Sequence, residues 1–247
     1  MSERENILEL KNVVYSFHTY GGEVKAVRDV SYEVRQGEIL GIVGESGCGK
    51  SVTAQCILRL NPEPPGFFEG GEILYKGQDV LKMSKKEIRK IRGREIGFVF
   101  QDPMTSLNPT MRVGAQIEEV FLGRTDVSKK EVKERAMYIM RLVGISDVEK
   151  RYKQYPHELS GGMKQRVMIA IALVSRPSVI ICDEPTTSLD VTIEAQILDL
   201  LLELREKLGT SIIMITHDLG VISRLCDRVV VMYGGKIVEK GEIGEIF

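Results

Sequence analysis

Hydrophobic positions along this chain change their spacing from strand-like to helical and back. Near the start, Val30, Tyr32 and Val34 alternate with Ser31, Glu33 and Arg35, the two-residue period of a strand with one buried face. After Glu38 a short apolar run through Val43 enters a glycine-rich loop, as a buried parallel strand would. Gly70-Gly71 and Lys76-Gly77 bracket Glu72-Ile73-Leu74-Tyr75, which predicts another short strand. Helical signals then take over. Ser84 with Glu87, and Ser128 with Glu131, have capping-box spacing. Beyond Ser128, the residues Val132, Ala136, Ile139, Met140 and Val143 fall on one helical face, and Gly144 ends it.

The last third alternates strand and helix. Residues 179–182 read as an apolar strand; Asp190 caps a helix whose Ile193, Ile197, Leu200, Leu201, Leu204 and Leu208 share a face, and Gly209 stops it. Residues 212–215 predict the next strand, and Gly234-Gly235 a tight hairpin. Such alternation implies a mostly parallel sheet with helices on its faces, an α/β fold. The helical block of about 102–160 reads as an insertion between core strands. There is no internal repeat, low-complexity tract or long linker.

Bulk properties narrow this picture. A chain of 247 residues, 43% hydrophobic, can form one large α/β domain or two small ones with a proper core. The formal net charge of −1 supplies no electrostatic case for nucleic acid. The longest apolar run, about residues 167–174, is much too short to span a bilayer, and the polar start Met1-Ser2-Glu3-Arg4-Glu5-Asn6 lacks the apolar core of a secretory signal. Any membrane connection is therefore expected to run through a partner. Cys48, Cys56, Cys182 and Cys226 form no CxxC pair and have no metal-ligand spacing, which predicts reduced, mostly buried thiols.

Three segments carry recognisable chemistry. Gly44-Glu45-Ser46-Gly47-Cys48-Gly49-Lys50-Ser51 fits G-x-x-x-x-G-K-[ST] without a mismatch, between an apolar strand and residues 52–60, which can form a helix from Val52. Glycines let the backbone turn its N–H groups onto a β-phosphate, and the helix adds its positive end. Lys50 is expected at the β- and γ-phosphates and the Ser51 hydroxyl on Mg²⁺. Val179-Ile180-Ile181-Cys182-Asp183-Glu184 is a buried strand that ends in two carboxylates. Asp183 is placed to hold Mg²⁺, and Glu184 to polarise an attacking water as general base. Beside a phosphate loop, that role outweighs the plainer one of a strand end meeting solvent.

Leu159-Ser160-Gly161-Gly162-Met163-Lys164-Gln165-Arg166 is the third segment: a serine hydroxyl and two bare glycine N–H groups opening a helix through Ala170, a second anion-binding helix N-terminus. With these three segments in this order, the whole chain resembles the nucleotide-binding subunit of an ATP-binding cassette (ABC) transporter. The resemblance implies a P-loop ATPase core with an N-terminal antiparallel β subdomain and an inserted helical subdomain. As one domain over residues 1–247, its core is expected at about 1–100 and 161–247, and the helical subdomain at about 102–160.

In that family Ser160, Gly161 and Gly162 would grip ATP held by a partner subunit. One nucleotide has one γ-phosphate, and residues 44–51 already occupy one side of it, so the resemblance implies a head-to-tail dimer around two ATPs. It further implies Gln101 touching metal and water, and His217, which follows the strand of residues 212–216, contacting the γ-phosphate. Asp190 of Ser188-Leu189-Asp190 is implied at the dimer interface while also capping a helix. For adenine stacking Phe17 lies where relatives carry an aromatic, with Tyr15 and Tyr20 in competition. His18 and His157 receive no catalytic role.

Finer wording narrows the branch. Gly-Glu-Ser-Gly-Cys-Gly-Lys-Ser at 44–51, Gln-Asp-Pro-Met-Thr-Ser-Leu-Asn-Pro at 101–109 and Tyr-Pro-His-Glu-Leu-Ser-Gly-Gly-Met at 155–163 resemble importers of di- and oligopeptides (or nickel) more than sugar or amino-acid importers. Subunits of that branch usually continue beyond the point matching Phe247 into an extension, in some with cluster-binding cysteines; that extension is absent from residues 1–247, and a cluster-binding role is unsupported. The resemblance implies Mg²⁺ and ATP as cofactors and a peripheral place on the cytoplasmic membrane face. Implied partners are a like or unlike second subunit, transmembrane permease subunits and, indirectly, an extracytoplasmic binding protein, with no nucleic acid. Two rivals remain. A soluble ABC ATPase of DNA repair or translation would carry long insertions or a second cassette, absent here. A P-loop kinase would need an acceptor pocket and has no use for the Ser160-Gly161-Gly162 segment.

Overall fold

The computed structural model describes residues 5–122, 127–187 and 189–246. It divides into two compact units, Met1–Arg92 with Ser211–Phe247, and Gly93–Thr210.

The first unit opens with β1 (Asn6–Thr19), β2 (Gly22–Arg35), β3 (Ile39–Val43), α1 (Lys50–Ile57), β4 (Gly66–Tyr75), β5 (Gln78–Asp79) and α2 (Lys85–Ile91). In the second unit β6 (Ile96–Val99) precedes the helical block of α3 (Pro103–Ser106), α4 (Val113–Glu119), α5 (Lys129–Leu142), α6 (Val148–Arg151) and α7 (Gly161–Leu173). That unit closes with β7 (Val179–Asp183) and α8 (Val191–Leu208). The chain then returns to the first unit as β8 (Ser211–Thr216), α9 (Leu219–Leu225), β9 (Arg228–Tyr233), β10 (Lys236–Glu242) and α10 (Ile243–Ile246).

Two strand systems make the first unit. β2, β1, β4 and β5 form an antiparallel sheet in that order. The predicted alternation on β2 is realised, with Val30, Tyr32 and Val34 buried. β3 lies between β8 and β9, parallel to both, and β9 turns back into β10. All five residues of β3 are buried, as the apolar run predicts. Gly234 and Gly235 both have positive φ (53° and 81°), the left-handed pair that a two-residue hairpin requires.

One expected strand boundary moves. β4 begins at Gly66 and runs through Gly70-Gly71, so these glycines lie inside the strand and do not bracket it. Gly71 has φ +93°, and a Cβ there would press on the Asn12 backbone where the β1–β4 register slips between Lys11 and Val14. The glycine permits a bulge and close backbone approach.

A buried ion cluster joins the two strand systems of this unit. Arg228 on β9 donates to Glu33 of β2 at 2.5 Å and to Glu38 at 3.3 Å. Glu38 is 1% exposed. Burial raises its pKa above the ordinary glutamate value, against the Arg35 backbone N–H and the Arg228 charge, which lower it.

In the second unit β6 and β7 pair in parallel, with Val99 beside Cys182. Both predicted capping boxes, Ser84 with Glu87 on α2 and Ser128 with Glu131 on α5, are formed. Arg166 of α7 donates to the Val143 carbonyl at 2.6 Å and to Gln196 of α8 at 3.2 Å. This guanidinium satisfies the C-terminal end of α5 and ties three helices together. The four cysteines are buried thiols outside any disulfide, as expected. Burial, and then Asp183, push the Cys182 thiol up to about 12, so it is inert near neutrality.

Candidate functional site

Strand register collects the predicted residues at carboxyl ends. In the first unit Val43 of β3 lies beside Thr216 of β8 and Val231 of β9. The phosphate-loop sequence starting at Gly44 and the residue His217 therefore leave the sheet side by side. His217 is exposed, and Asp218 after it caps α9 by accepting from the Gly220 and Val221 N–H groups.

The loop of residues 44–51 is walled by its own unit. Gly44, Gly47 and Gly49 have φ of +155°, +78° and +102°. A Cβ on Gly44 would clash with the Met232 carbonyl oxygen and lie 2.7 Å from the Cys48 sulfur; one on Gly49 would clash with the Ala26 carbonyl oxygen. The loop is further pinned by Gly235 N–H donating to the Cys48 carbonyl at 2.9 Å. α1 starts at Lys50 with left-handed Gly49 as its N-cap and no side-chain cap. Lys50 is 4% exposed, and its ammonium donates to the Gly44 and Glu45 carbonyls at 2.7 and 2.9 Å. The cation is thus held at the loop, next to the uncapped N–H groups of the helix start. Ser51 and Val52 lie in the first turn of α1, half-buried; Glu45 and Cys48 close a tight turn by a Cys48 N–H to Glu45 carbonyl bond, with Ser46 between them.

Of the aromatic candidates, Tyr15 is fully buried and packs edge-on against Phe17 at 5.3 Å and Phe68 at 4.7 Å. That burial removes it as a stacking platform. Phe17 is half-buried and Tyr20 exposed.

In the second unit, the β6–β7 register places Gln101 beside the acidic pair. Asp183, the last residue of β7, is 3% exposed. Glu184 has φ +45°, a left-handed conformation rare outside glycine and costing about 1–2 kcal/mol. Its Oε2 accepts from Gln101 Nε2 at 3.1 Å and from Thr187 Oγ1 at 2.8 Å. A carboxylate turned out of the strand direction and aimed by two donors is oriented before any substrate arrives. Thr187 was not singled out from sequence; the signal was a polar residue three places after Glu184, the spacing at which a turn folds back.

Ser160 is the N-cap of α7, with extended backbone, its Oγ accepting from Met163 N–H at 3.4 Å. Before it, the 3₁₀ turn Pro156–Glu158 is closed by Glu158 accepting from Tyr155 N–H at 2.7 Å. Leu159 is buried while Ser160 and Gly161 are exposed. Asp190 caps α8 by accepting from Ile193 N–H at 3.0 Å, so its capping role is realised. Ser188 lies outside the described residues.

Each unit thus carries part of the set: Phe17, residues 44–52 and His217 in the first, and Gln101, Ser160, Gly161, Gly162, Asp183, Glu184 and Asp190 in the second. Among the described residues no group of three or more His, Cys, Asp or Glu side chains could hold a metal ion unaided. Each unit by itself carries oxygen donors of the hard type that Mg²⁺ takes, Ser51 in the first and Asp183 and Gln101 in the second.

The family model described as ABC transporter matches residues 27–187, and the chain belongs to that family. It is 58% identical over 241 residues to the oligopeptide transport ATP-binding protein OppD of Bacillus subtilis, covering 98% of this chain and 67% of that protein. To the dipeptide transport ATP-binding protein DppD of the same species it is 51% identical over 243 residues, covering 98% of this chain and 72% of the other. Among solved structures it matches the dimeric post-hydrolysis state of the ATP-binding cassette MJ0796 bound to ADP and Pi. The TM-score is 0.84 at 29% identity, over 96% of this chain and 98% of that one. The fold is that of an ABC ATPase cassette, the α/β architecture expected from the sequence.

Proposed function

We propose that this chain is the ATP-binding and ATP-hydrolysing subunit of an ABC importer of di- or oligopeptides. Its descriptive relatives are transport proteins of that cargo class, which favours this over a DNA-repair or translation ATPase. Among the described residues no helix is long and apolar enough to cross a membrane, so attachment is assigned to permease subunits, at the cytoplasmic face. The helical subdomain of about 102–160 would dock there. An extracytoplasmic binding protein would deliver cargo on the far side.

The observation that carries hydrolysis is the fixed carboxylate of Glu184, oriented by Gln101 and Thr187. Glu184 takes the proton of the attacking water, a step worth roughly 10²–10⁴-fold in rate. Backbone N–H groups of residues 44–51 and the Lys50 ammonium hold the β- and γ-phosphates, and His217 touches the γ-phosphate. Ser51, Asp183 and Gln101 would hold Mg²⁺, which neutralises phosphate charge when bound. Phe17 stacks on adenine. Ser160, Gly161, Gly162 and Asp190 face the nucleotide of a partner subunit, so ATP binding drives head-to-tail dimerisation.

The test is size exclusion of Glu184→Gln with ATP and Mg²⁺. With hydrolysis blocked, a dimer accumulates that wild type forms only transiently. A variant that stays monomeric at high protein and ATP concentration overturns the shared-site reading.

A further inference from the structure

A second concentration of charge lies in the first unit, apart from the residues assigned above. From Lys85 to Arg92 five basic residues, Lys85, Lys86, Arg89, Lys90 and Arg92, accompany one acid, Glu87. The Glu87 carboxylate is committed to the capping box, accepting from Ser84 N–H at 2.8 Å and Ser84 Oγ at 2.6 Å. In a chain of net charge −1 this is a local excess of positive potential. Lys85, Arg89 and Arg92 line a cleft of about 240 Å³ together with Arg59, and Glu63 is the one acid among the described residues of its lining.

Two of the guanidiniums are ordered from behind by main-chain carbonyls. Arg59 Nη1 donates to Met83 O at 2.9 Å; Arg92 donates through Nε to Leu58 O at 2.8 Å and through Nη2 to Arg59 O at 2.6 Å. Ordered in this way, they are not neutralised. Among the described residues no carboxylate is within ion-pair distance of Arg59, Lys85, Arg89 or Arg92. Burial, and then the charges of Arg59 and Arg89, lower the basicity of Arg92 below that of an ordinary arginine. Crowded like charges held in place are relieved by an anion, and part of the ordering cost of the arginine forks is already met.

We propose that this cleft binds a phosphate group, carried either by a free polyphosphate or by a phospholipid headgroup. A dianion with three acceptor oxygens matches several cations converging from α2 and from the segment after α1 better than a single carboxylate does.

The test uses the full chain saturated with Mg²⁺ and ADP, so that residues 44–51 are filled. Inorganic pyrophosphate is titrated calorimetrically. In a separate arm, vesicles of phosphatidylglycerol in phosphatidylcholine are sedimented with the protein. Wild type is compared with Lys85→Gln/Arg89→Gln, both exposed and neither bonded to the carbonyls that shape the cleft. Arg92→Gln is a poorer choice, because it would orphan the Leu58 and Arg59 carbonyls. The double variant should melt with wild type and bind about tenfold more weakly, two partly exposed cations each contributing a modest amount. Weakening with pyrophosphate alone identifies a free polyphosphate, and weakening with vesicles identifies a headgroup. Binding of both probes that is the same for the two proteins, or absent from both, overturns the proposal.

Discussion

Helix α1 and helix α7 both begin beside glycines, yet their first turns are built differently. At α1, the loop glycines are demanded by the chain itself: left-handed φ values, and carbonyl oxygens of Met232 and Ala26 where a Cβ would go. Lys50 is folded in and almost wholly buried. At α7, Ser160 has ordinary extended backbone, and the nearest atom to a Cβ on Gly161 is 3.9 Å away, on Leu189. Gly162 differs from its neighbour, since its Cβ would lie 2.8 Å from Ile193. The first N-terminus is a cradle complete on its own side. In the second, nothing among the described residues explains a bare Gly161, which is what the proposed contact with a partner's nucleotide would require.

The largest contrast is expected from matched alanines. Gly44→Ala forces a Cβ into the Met232 carbonyl at positive φ and should cost several kcal/mol, seen as a lower melting temperature with loss of nucleotide binding. Gly161→Ala should leave stability within about 0.5 kcal/mol, since the site is exposed and open. Its ATP turnover is expected to fall about 100-fold with Kd for ATP in the monomer unchanged, if the glycine serves a partner's nucleotide. Equal losses of stability at the two positions would erase the distinction.

Much of this arrangement was legible in the sequence because it is local. Strand period, capping boxes and the phosphate-loop pattern each depend on residues within one turn or one strand, and each appears where expected. Glu184 was legible as a carboxylate at a strand end. Its left-handed backbone and the Thr187 bond were not, since both arise from how the chain reverses after β7. The extent of β4 was missed because Gly70-Gly71 signals a break locally, and only the neighbouring β1 makes it a bulge. Arg228 illustrates the same limit. Its partners Glu33 and Glu38 lie 195 and 190 residues away, a pairing no local pattern encodes.

Smaller effects probe Ser160 more finely. As a plain cap it can be replaced by Asp, which caps as well, whereas Ala should cost about 1 kcal/mol. As a phosphate contact it cannot, because a carboxylate repels the anion. Ser160→Asp is therefore expected to melt with wild type yet fail to form the ATP dimer in a Glu184→Gln background. A dimer of undiminished stability would reduce α7 to an ordinary capped helix.

The closed construction around the first site extends to the strand that carries Phe17, and there the expected effect is smallest. The Tyr15 hydroxyl is buried with no hydrogen-bond partner among the described residues. Its removal in Tyr15→Phe should be neutral, or stabilising by up to about 1 kcal/mol, near neutral pH. Burial first, then Cys56 and Glu63, push the phenol from 10.0 up to about 12. Because the folded value lies above the unfolded one, the associated stability is fully present below pH 10 and is lost as pH rises from 10 towards 12. Tyr15→Phe removes that loss, so its urea midpoint should fall less than that of wild type across this window. ATP affinity should be unchanged in Tyr15→Phe and reduced in Phe17→Ala. A weakened affinity in Tyr15→Phe would mean that the buried Tyr15 hydroxyl, and not the half-exposed Phe17 ring alone, governs how adenine is held.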